Sequence, residues 1–154
     1  AAEDNVAELK MVRMVIGRTH SPAVKNACKA MIRDHTKQLS EIRQLASRFS
    51  VDLPTAPNVK HQALYKNMSH KSGRDLDRSF TGDQLQDHIE DVNTANDEVE
   101  VGQSAAVKRF ARRAILTFAK HEQIWRGVAM KVGVPSTFGR PTAEQILNGK
   151  KIGS

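Results

Sequence analysis

The sequence has little of what marks several protein classes. Its single cysteine, Cys28, cannot form an internal disulfide, so cysteine usage does not decide the compartment. No apolar run approaches the roughly 20 residues that a membrane-spanning helix needs. Gly-rich phosphate loops, Ser-centred nucleophile elbows and paired catalytic carboxylates do not stand out. The sequence therefore indicates no enzymatic chemistry of these kinds; it favours a non-enzymatic role and leaves open whether a reaction is catalysed.

Size and charge set broad limits on the class of protein. The 154 residues, 39% of them hydrophobic and 27% charged, suffice for one domain with a substantial core. The net charge is +7, which favours a weak attraction to polyanions or to an anionic envelope surface. The basic residues are spread along every segment, without a block of five or six together. A solvated cationic surface is therefore the alternative interpretation.

Hydrophobic residues at three- and four-residue steps predict four long helices and an all-α fold. Short turns after the first and third helices favour an antiparallel four-helix bundle with one longer crossing between its halves. Ser21 and Ser104 are suitable N-caps for the second and fourth helices. The predicted helices span residues 3–19, 22–49, 73–101 and 104–132, and residues 1–132 form the predicted bundle domain.

Two shorter helices are predicted outside the four long ones. Residues 58–67 form a short connector helix between helices two and three, with Val59, Ala63 and Leu64 turned inward. Residues 133–154 form a C-terminal tail, in which Thr142 to Gln145 fits a capping box and predicts a short helix.

Three histidines occupy positions where an apolar core residue is expected. His35, His88 and His121 each continue the apolar stripe of a different predicted helix, and Glu8 shares a face with apolar residues of the first. At about 1.5 Å per helical residue, Glu8, His35, His88 and His121 lie roughly 18, 22, 21 and 28 Å below the same end of the bundle. The four side chains are therefore predicted to lie near mid-bundle.

These four residues form the predicted metal site. Neutral imidazoles suit a transition ion such as zinc, copper or iron, and the carboxylate compensates its charge. Asp34, Asp87 and Glu122 point about 100° away from the adjacent histidines and are predicted to accept hydrogen bonds from ligands on neighbouring helices. In the alternative, the three histidines are structural and satisfy one another through water and carboxylates.

Several of these residues also carry a resemblance to a known family. The stretch MIRDHTKQLSEIRQLASRFSVDLP contains the Asp34-His35 pair and ends in the Leu53-Pro54 turn. Gly73 to Asp77, His88 and His121 follow in the family's order, with Leu76 in place of its usual Phe. From about Asn5 to Met130, the chain resembles the bacterial extracytoplasmic domain-of-unknown-function family DUF4142.

The resemblance implies a ferritin-like fold and an exported, periplasmic protein, but no reaction. The Ala-Ala-Glu-Asp start, without an initiator Met, agrees with removal of a signal peptide. Ferritin-like di-iron proteins use Glu-x-x-His on two helices. Here Ile32, Leu85 and Phe118 stand three residues before the histidines, so the bridging carboxylates of a di-iron site are absent.

Three functions remain open at the level of sequence. The first is an exported metal-binding bundle that acts in metal handling or stress protection. The second is a non-catalytic envelope or interaction protein whose buried histidines fix packing. The third is polyanion binding, which rests on net charge alone. Cys28 lies on the packed stripe of the second helix and is predicted to be an inert core thiol.

Overall fold

The computed structural model describes residues 1–135, and every regular element in that range is an α-helix. The predicted all-α class is confirmed for these residues, whereas the antiparallel four-helix packing stays a prediction. The C-terminal helix predicted from Thr142 lies outside the described residues. The helices are α1 (Ala2–Ile16), α2 (Pro22–Phe49), α3 (Val59–Ser69), α4 (Gly73–Val101) and α5 (Ala105–Val132).

Side-chain caps begin three of the helices. The Ser21 hydroxyl accepts the backbone N–H of Val24 at 3.4 Å, and Pro22 occupies the first helical position of α2. Ser104 caps α5 in the same way, and Asn58 caps α3 with its side-chain oxygen. The predicted starts of the second and fourth helices are therefore confirmed.

The first helix ends three residues earlier than predicted. The backbone N–H groups of Arg18 and Thr19 both donate to the Val15 carbonyl, at 2.9 and 2.8 Å, and close the last turn. The Thr19 hydroxyl then donates to the Asp77 carboxylate at 2.5 Å, and both residues are buried. Because Asp77 is 58 positions away along the chain, helical periodicity alone could not show this contact.

A single arginine fixes the turn between α3 and α4. The Arg18 guanidinium donates to the backbone carbonyls of Ser69 and Lys71, both at 2.7 Å. Charge-assisted hydrogen bonds of this kind are stronger than neutral ones. The end of α1 is thus joined to the turn that leads into α4.

By its internal contacts the chain divides into two compact units, Ala1–Phe80 and Thr81–Ser154, and the boundary falls within α4. In the first unit, α1 packs against α2 and α3. The apolar stripes of α1 and α2 supply the core of this unit, as their periodicity predicts. The most fully buried of its members are Val12, Val15, Val24, Cys28 and Met31.

The connector helix α3 buries a different side from the one predicted. Val59, expected to face inward, is 82% exposed, and Ala63 is exposed as well. Met68 is buried instead, in the last turn of the helix. Val59 is the first residue after the Asn58 cap, so α3 packs through its end near Arg18 and Ser69 rather than through its start.

The second unit has its own apolar cluster, formed along α4 and α5. Small alanines alternate with larger side chains, which allows close packing. Phe118 belongs to this cluster and also contacts the ring of His88. The buried members are Val92, Ala95, Ala111, Ala114, Ile115, Phe118 and Ala119.

No helix within residues 1–135 combines the length and the hydropathy needed to cross a membrane.

Candidate metal centre

Two of the predicted site residues form a buried pair in the second unit. His88 of α4 and His121 of α5 are 2% and 0% exposed. Nε2 of His88 lies 3.0 Å from Nδ1 of His121, and the two rings meet edge to face with centroids 5.0 Å apart. Within this unit, α4 and α5 therefore bring these two histidines together.

The hydrogen bond of His88 to the main chain fixes its tautomer. Nδ1 of His88 lies 2.7 Å from the Gln84 carbonyl, which can only accept, so Nδ1 carries the hydrogen. Nε2, the atom that faces His121, therefore carries the lone pair when the ring is neutral. Burial, and next the neighbouring His121, lower the pKa of His88 to about 3, although the bond to Gln84 opposes the shift. The ring is thus neutral near pH 7.

The spacing of the two facing nitrogens suits a metal ion. In the absence of an ion, Nδ1–H of His121 donates to Nε2 of His88. Bonds from transition ions to imidazole nitrogen are about 2.0–2.1 Å, so two neighbouring ligand nitrogens lie about 2.9–3.4 Å apart. The observed 3.0 Å is compatible with that range and is also the length of the hydrogen bond between the two rings. A main-chain acceptor on the other ring nitrogen, as on His88, is typical of metal-bound histidine.

The third histidine, His35, is buried in the first unit and has a partner that the sequence analysis missed. Its Nδ1 lies 3.0 Å from Oδ1 of Asn5. The Asn5 amide donates to the Ala1 carbonyl at 2.8 Å, which leaves Oδ1 as the acceptor for His35. Nδ1 of His35 therefore carries the hydrogen, and Nε2 carries the lone pair. Asn5 precedes Leu9 and Val12 at steps of four and three on the buried face of α1. This spacing was the sequence signal that could have identified Asn5 as a buried residue.

Glu8, the predicted carboxylate ligand, lies on α1 in the first unit. The residue is half-buried, and its Oε1 is enclosed within the protein. Its charge, together with that of Asp77, adds to the effect of burial in raising the pKa of Cys28 to about 12. Glu8 stays a predicted ligand.

The three predicted hydrogen-bond acceptors have different surroundings. Asp34 accepts two hydrogen bonds from Arg33, at 2.6 and 2.9 Å, on its own helix. Glu122 is 1% exposed and accepts a hydrogen bond from Arg126, one turn further along α5. Asp87 is half-buried. Their role beside metal ligands on neighbouring helices stays a prediction.

His35 in the first unit and His88 and His121 in the second could each offer one ring nitrogen to a metal ion. All three are buried, as their places on the apolar stripes predict. Imidazole nitrogen suits zinc, copper, iron and nickel, so the donor set alone does not select one ion.

Helices with buried histidines define an all-α protein with a candidate metal centre. The chain belongs to the family described as "Domain of unknown function (DUF4142)", which matches residues 1–127. The resemblance seen in the sequence is thereby confirmed, and the family description names no reaction. No curated protein and no solved structure matches the chain.

Proposed function

We propose that this protein binds one transition-metal ion through His35, His88 and His121, and that it acts in metal handling or stress protection in the periplasm. The buried His88–His121 pair carries the proposal, because it brings two potential ligand nitrogens within 3.0 Å of each other in the interior of the second unit. The neutral state of His88 and the acceptors that hold both Nδ1–H groups, on His35 and His88, add support.

Glu8 supplies the negative charge of the proposed site and is its fourth protein ligand. Three neutral imidazoles leave the full charge of a divalent ion uncompensated, and burying an unbalanced charge is costly. Replacement of Glu8 by Gln keeps the shape of the side chain and removes its charge. We expect the Glu8→Gln variant to bind the ion more weakly than the wild type.

The first experiment is elemental analysis of the purified protein, followed by titration with zinc, copper and iron. We expect about one bound ion per chain in the wild type and a large loss in His35→Ala and His88→Ala. His20→Ala and His70→Ala are matched controls, because both of these histidines are exposed. Failure of the wild type to take up any of the three ions would show that the buried histidines are structural.

A second candidate function is attachment to an anionic surface of the cell envelope. Arg109, Arg112, Leu116 and Lys120, here called the α5 basic stripe, recur at steps of three and four and are all exposed. Leu116 is 60% exposed between the cations. Basic residues around an apolar side chain suit an anionic lipid surface, where charge attracts and the apolar group inserts.

Vesicle flotation tests this second function. The wild type is expected to bind vesicles that contain phosphatidylglycerol, to bind phosphatidylcholine vesicles weakly, and to lose binding as salt rises. Arg109, Arg112 and Lys120 are replaced together by Ala in one variant. The control replaces the exposed Lys25, Lys29 and Lys37 of α2, which removes the same charge. Equal binding by both variants would reject the stripe as the contact surface.

A further inference from the structure

Gln38 is a buried residue whose amide has no partner in the described part of the chain. The residue is 6% exposed, and within residues 1–135 neither its Oε1 nor its Nε2 makes a hydrogen bond. Each buried polar group that stays unsatisfied costs about 1–3 kcal/mol, so natural proteins rarely keep a donor and an acceptor in this state on one side chain. A ligand that is not part of the chain is the simplest partner.

The place of Gln38 on α2 indicates where that partner lies. Gln38 follows His35 by three residues, which puts the two side chains on the same face of the helix, one turn apart. Both are buried on the stripe that also contains Met31 and Ile42. The other members of the stripe are apolar or hydrogen-bonded, so Gln38 is the polar group beside His35 that still lacks a partner.

We infer that Gln38 holds an exogenous ligand, a water molecule or a small anion, on the metal ion bound by His35. This inference rests on the proposed metal site. Three imidazoles and one carboxylate close a tetrahedral site, whereas a transition ion that takes five or six ligands binds one more. The amide N–H of Gln38 donates to that ligand when it is an anion, and the amide oxygen accepts a hydrogen when it is water.

The consequence is a site that exchanges a small ligand. A site closed by protein ligands alone has no use for a buried amide beside it, and an apolar residue would stabilise the fold more. Gln38 is therefore a positioning residue for the exogenous ligand. It is not itself a ligand of the ion.

The test uses cobalt(II) as the ion and azide as the anion, because the visible absorption of cobalt(II) responds to a change of ligands. Wild type, Gln38→Met and Gln38→Leu are each loaded with cobalt and titrated with azide. Leu39→Met is the matched control, since Leu39 is the neighbouring buried residue and the change keeps its volume. Circular dichroism and thermal melting establish that each variant is folded.

We expect all four proteins to bind cobalt with the same stoichiometry. The azide dissociation constant should rise about tenfold or more in both Gln38 variants, as expected when a hydrogen bond to a charged group is lost. It should be unchanged in Leu39→Met. Without metal, Gln38→Met should melt at a higher temperature than the wild type, because an unsatisfied amide has been removed.

Other outcomes separate the inference from the proposed function. If the wild type binds no cobalt, the metal site itself is rejected and the inference fails with it. If cobalt binds but azide leaves its absorption unchanged, or binds equally well to wild type and Gln38→Met, only the inference is rejected. Loss of cobalt from folded Gln38→Met and Gln38→Leu would make Gln38 a ligand and would overturn its positioning role.

Discussion

Two hydrogen-bond acceptors determine which nitrogen His35 and His88 each offer. Asn5 accepts from Nδ1 of His35, and the Gln84 carbonyl accepts from Nδ1 of His88. Both rings are thereby held in the tautomer that has its lone pair on Nε2. The Gln84 acceptor belongs to the main chain and is unaffected by mutation, whereas the Asn5 side chain can be removed.

The Asn5→Leu variant tests this arrangement at a single residue. Leu has a similar size and no acceptor, so His35 loses the group that fixes its ring. We expect the affinity for zinc to fall about 10- to 100-fold, as for other partners of metal-bound histidines. Competition with a chromogenic chelator measures the affinity. Asn67→Leu on the exposed side of α3 is the control, and an unchanged affinity in Asn5→Leu would contradict the assigned role.

The thiol of Cys28 should be unreactive in the folded protein. Burial, followed by the charges of Glu8 and Asp77, raises its pKa from 9.0 to about 12. The thiolate is the reactive species, so a thiol reagent at pH 8 should modify the protein only after denaturation. Rapid modification of the native protein would show that the α1–α2 core opens. Modification only after denaturation would confirm the prediction of an inert core thiol.

The raised pKa of Cys28 also affects the stability of the protein at high pH. The folded protein holds the thiol proton more tightly than the unfolded chain. The protonated thiol therefore makes its full contribution to the free energy of unfolding below about pH 9, and this contribution is lost as pH rises towards 12. Denaturant unfolding at several pH values, compared with Cys28→Ala, measures it. The wild type should lose more stability than the variant over this interval. Parallel curves would mean that the thiol does not contribute.

Two glycines differ sharply in what they do for their helices. Gly102 follows α4, where an added Cβ would lie within 2.5 Å of the Glu98 carbonyl oxygen and closer still to its carboxylate. Gly127 lies within α5, where an added Cβ meets no atom within 4 Å. Glycine is required at position 102 because the Glu98 carbonyl oxygen approaches it closely. At position 127 glycine only lowers the helix propensity of α5.

The same substitution should therefore have opposite effects at these two positions. Gly102→Ala is expected to lower the free energy of unfolding by about 1–3 kcal/mol, because backbone atoms must move. Gly127→Ala is expected to raise it by about 0.5–1 kcal/mol. Urea denaturation of both variants measures the difference. Equal effects would show that the approach at Gly102 is relieved without cost.

At the level of elements, local signals were sufficient for the long helices. The predicted spans 22–49 and 73–101 coincide with α2 and α4, because caps and apolar periodicity are properties of neighbouring residues. The end of α1 and the buried side of α3 were not predicted. They depend on Arg18 and Thr19, whose side chains contact groups more than 50 residues away.

The candidate site, like the helices, was predictable from the sequence only in part. The buried positions of the three histidines follow from apolar periodicity and were predictable, whereas the direct pairing of His88 with His121 was not predicted. Asn5 was missed because one polar residue at the start of an apolar stripe is weak evidence for a contact. Gln84 was missed because it acts through its main-chain carbonyl, which any residue provides.

At the scale of the whole molecule, the proposed ligands are widely separated in sequence, from Glu8 to His121. An ion that binds them only in the folded state stabilises that state by mass action. Free zinc at 1,000 times its dissociation constant should raise the free energy of unfolding by about 4 kcal/mol. Thermal or urea unfolding with and without zinc measures this effect.

The control for this prediction is a hard cation. Magnesium prefers oxygen ligands and should leave the unfolding curve unchanged. His35→Ala should remove most of the gain from zinc, whereas His70→Ala should keep it. Stabilisation of all variants by zinc to the same extent would indicate binding at surface residues instead.

The bond between Arg18 and the turn after α3 has a practical consequence. Residues 51–58 join α2 to α3, and most of them are exposed. The Ser50 cap closes α2 before this segment, and Arg18 holds Ser69 and Lys71 after it. Exposed segments between fixed elements tolerate inserted sequence. This segment is therefore the place to insert an epitope or a fluorescent reporter, so that the protein can be followed in cells with its buried histidines untouched.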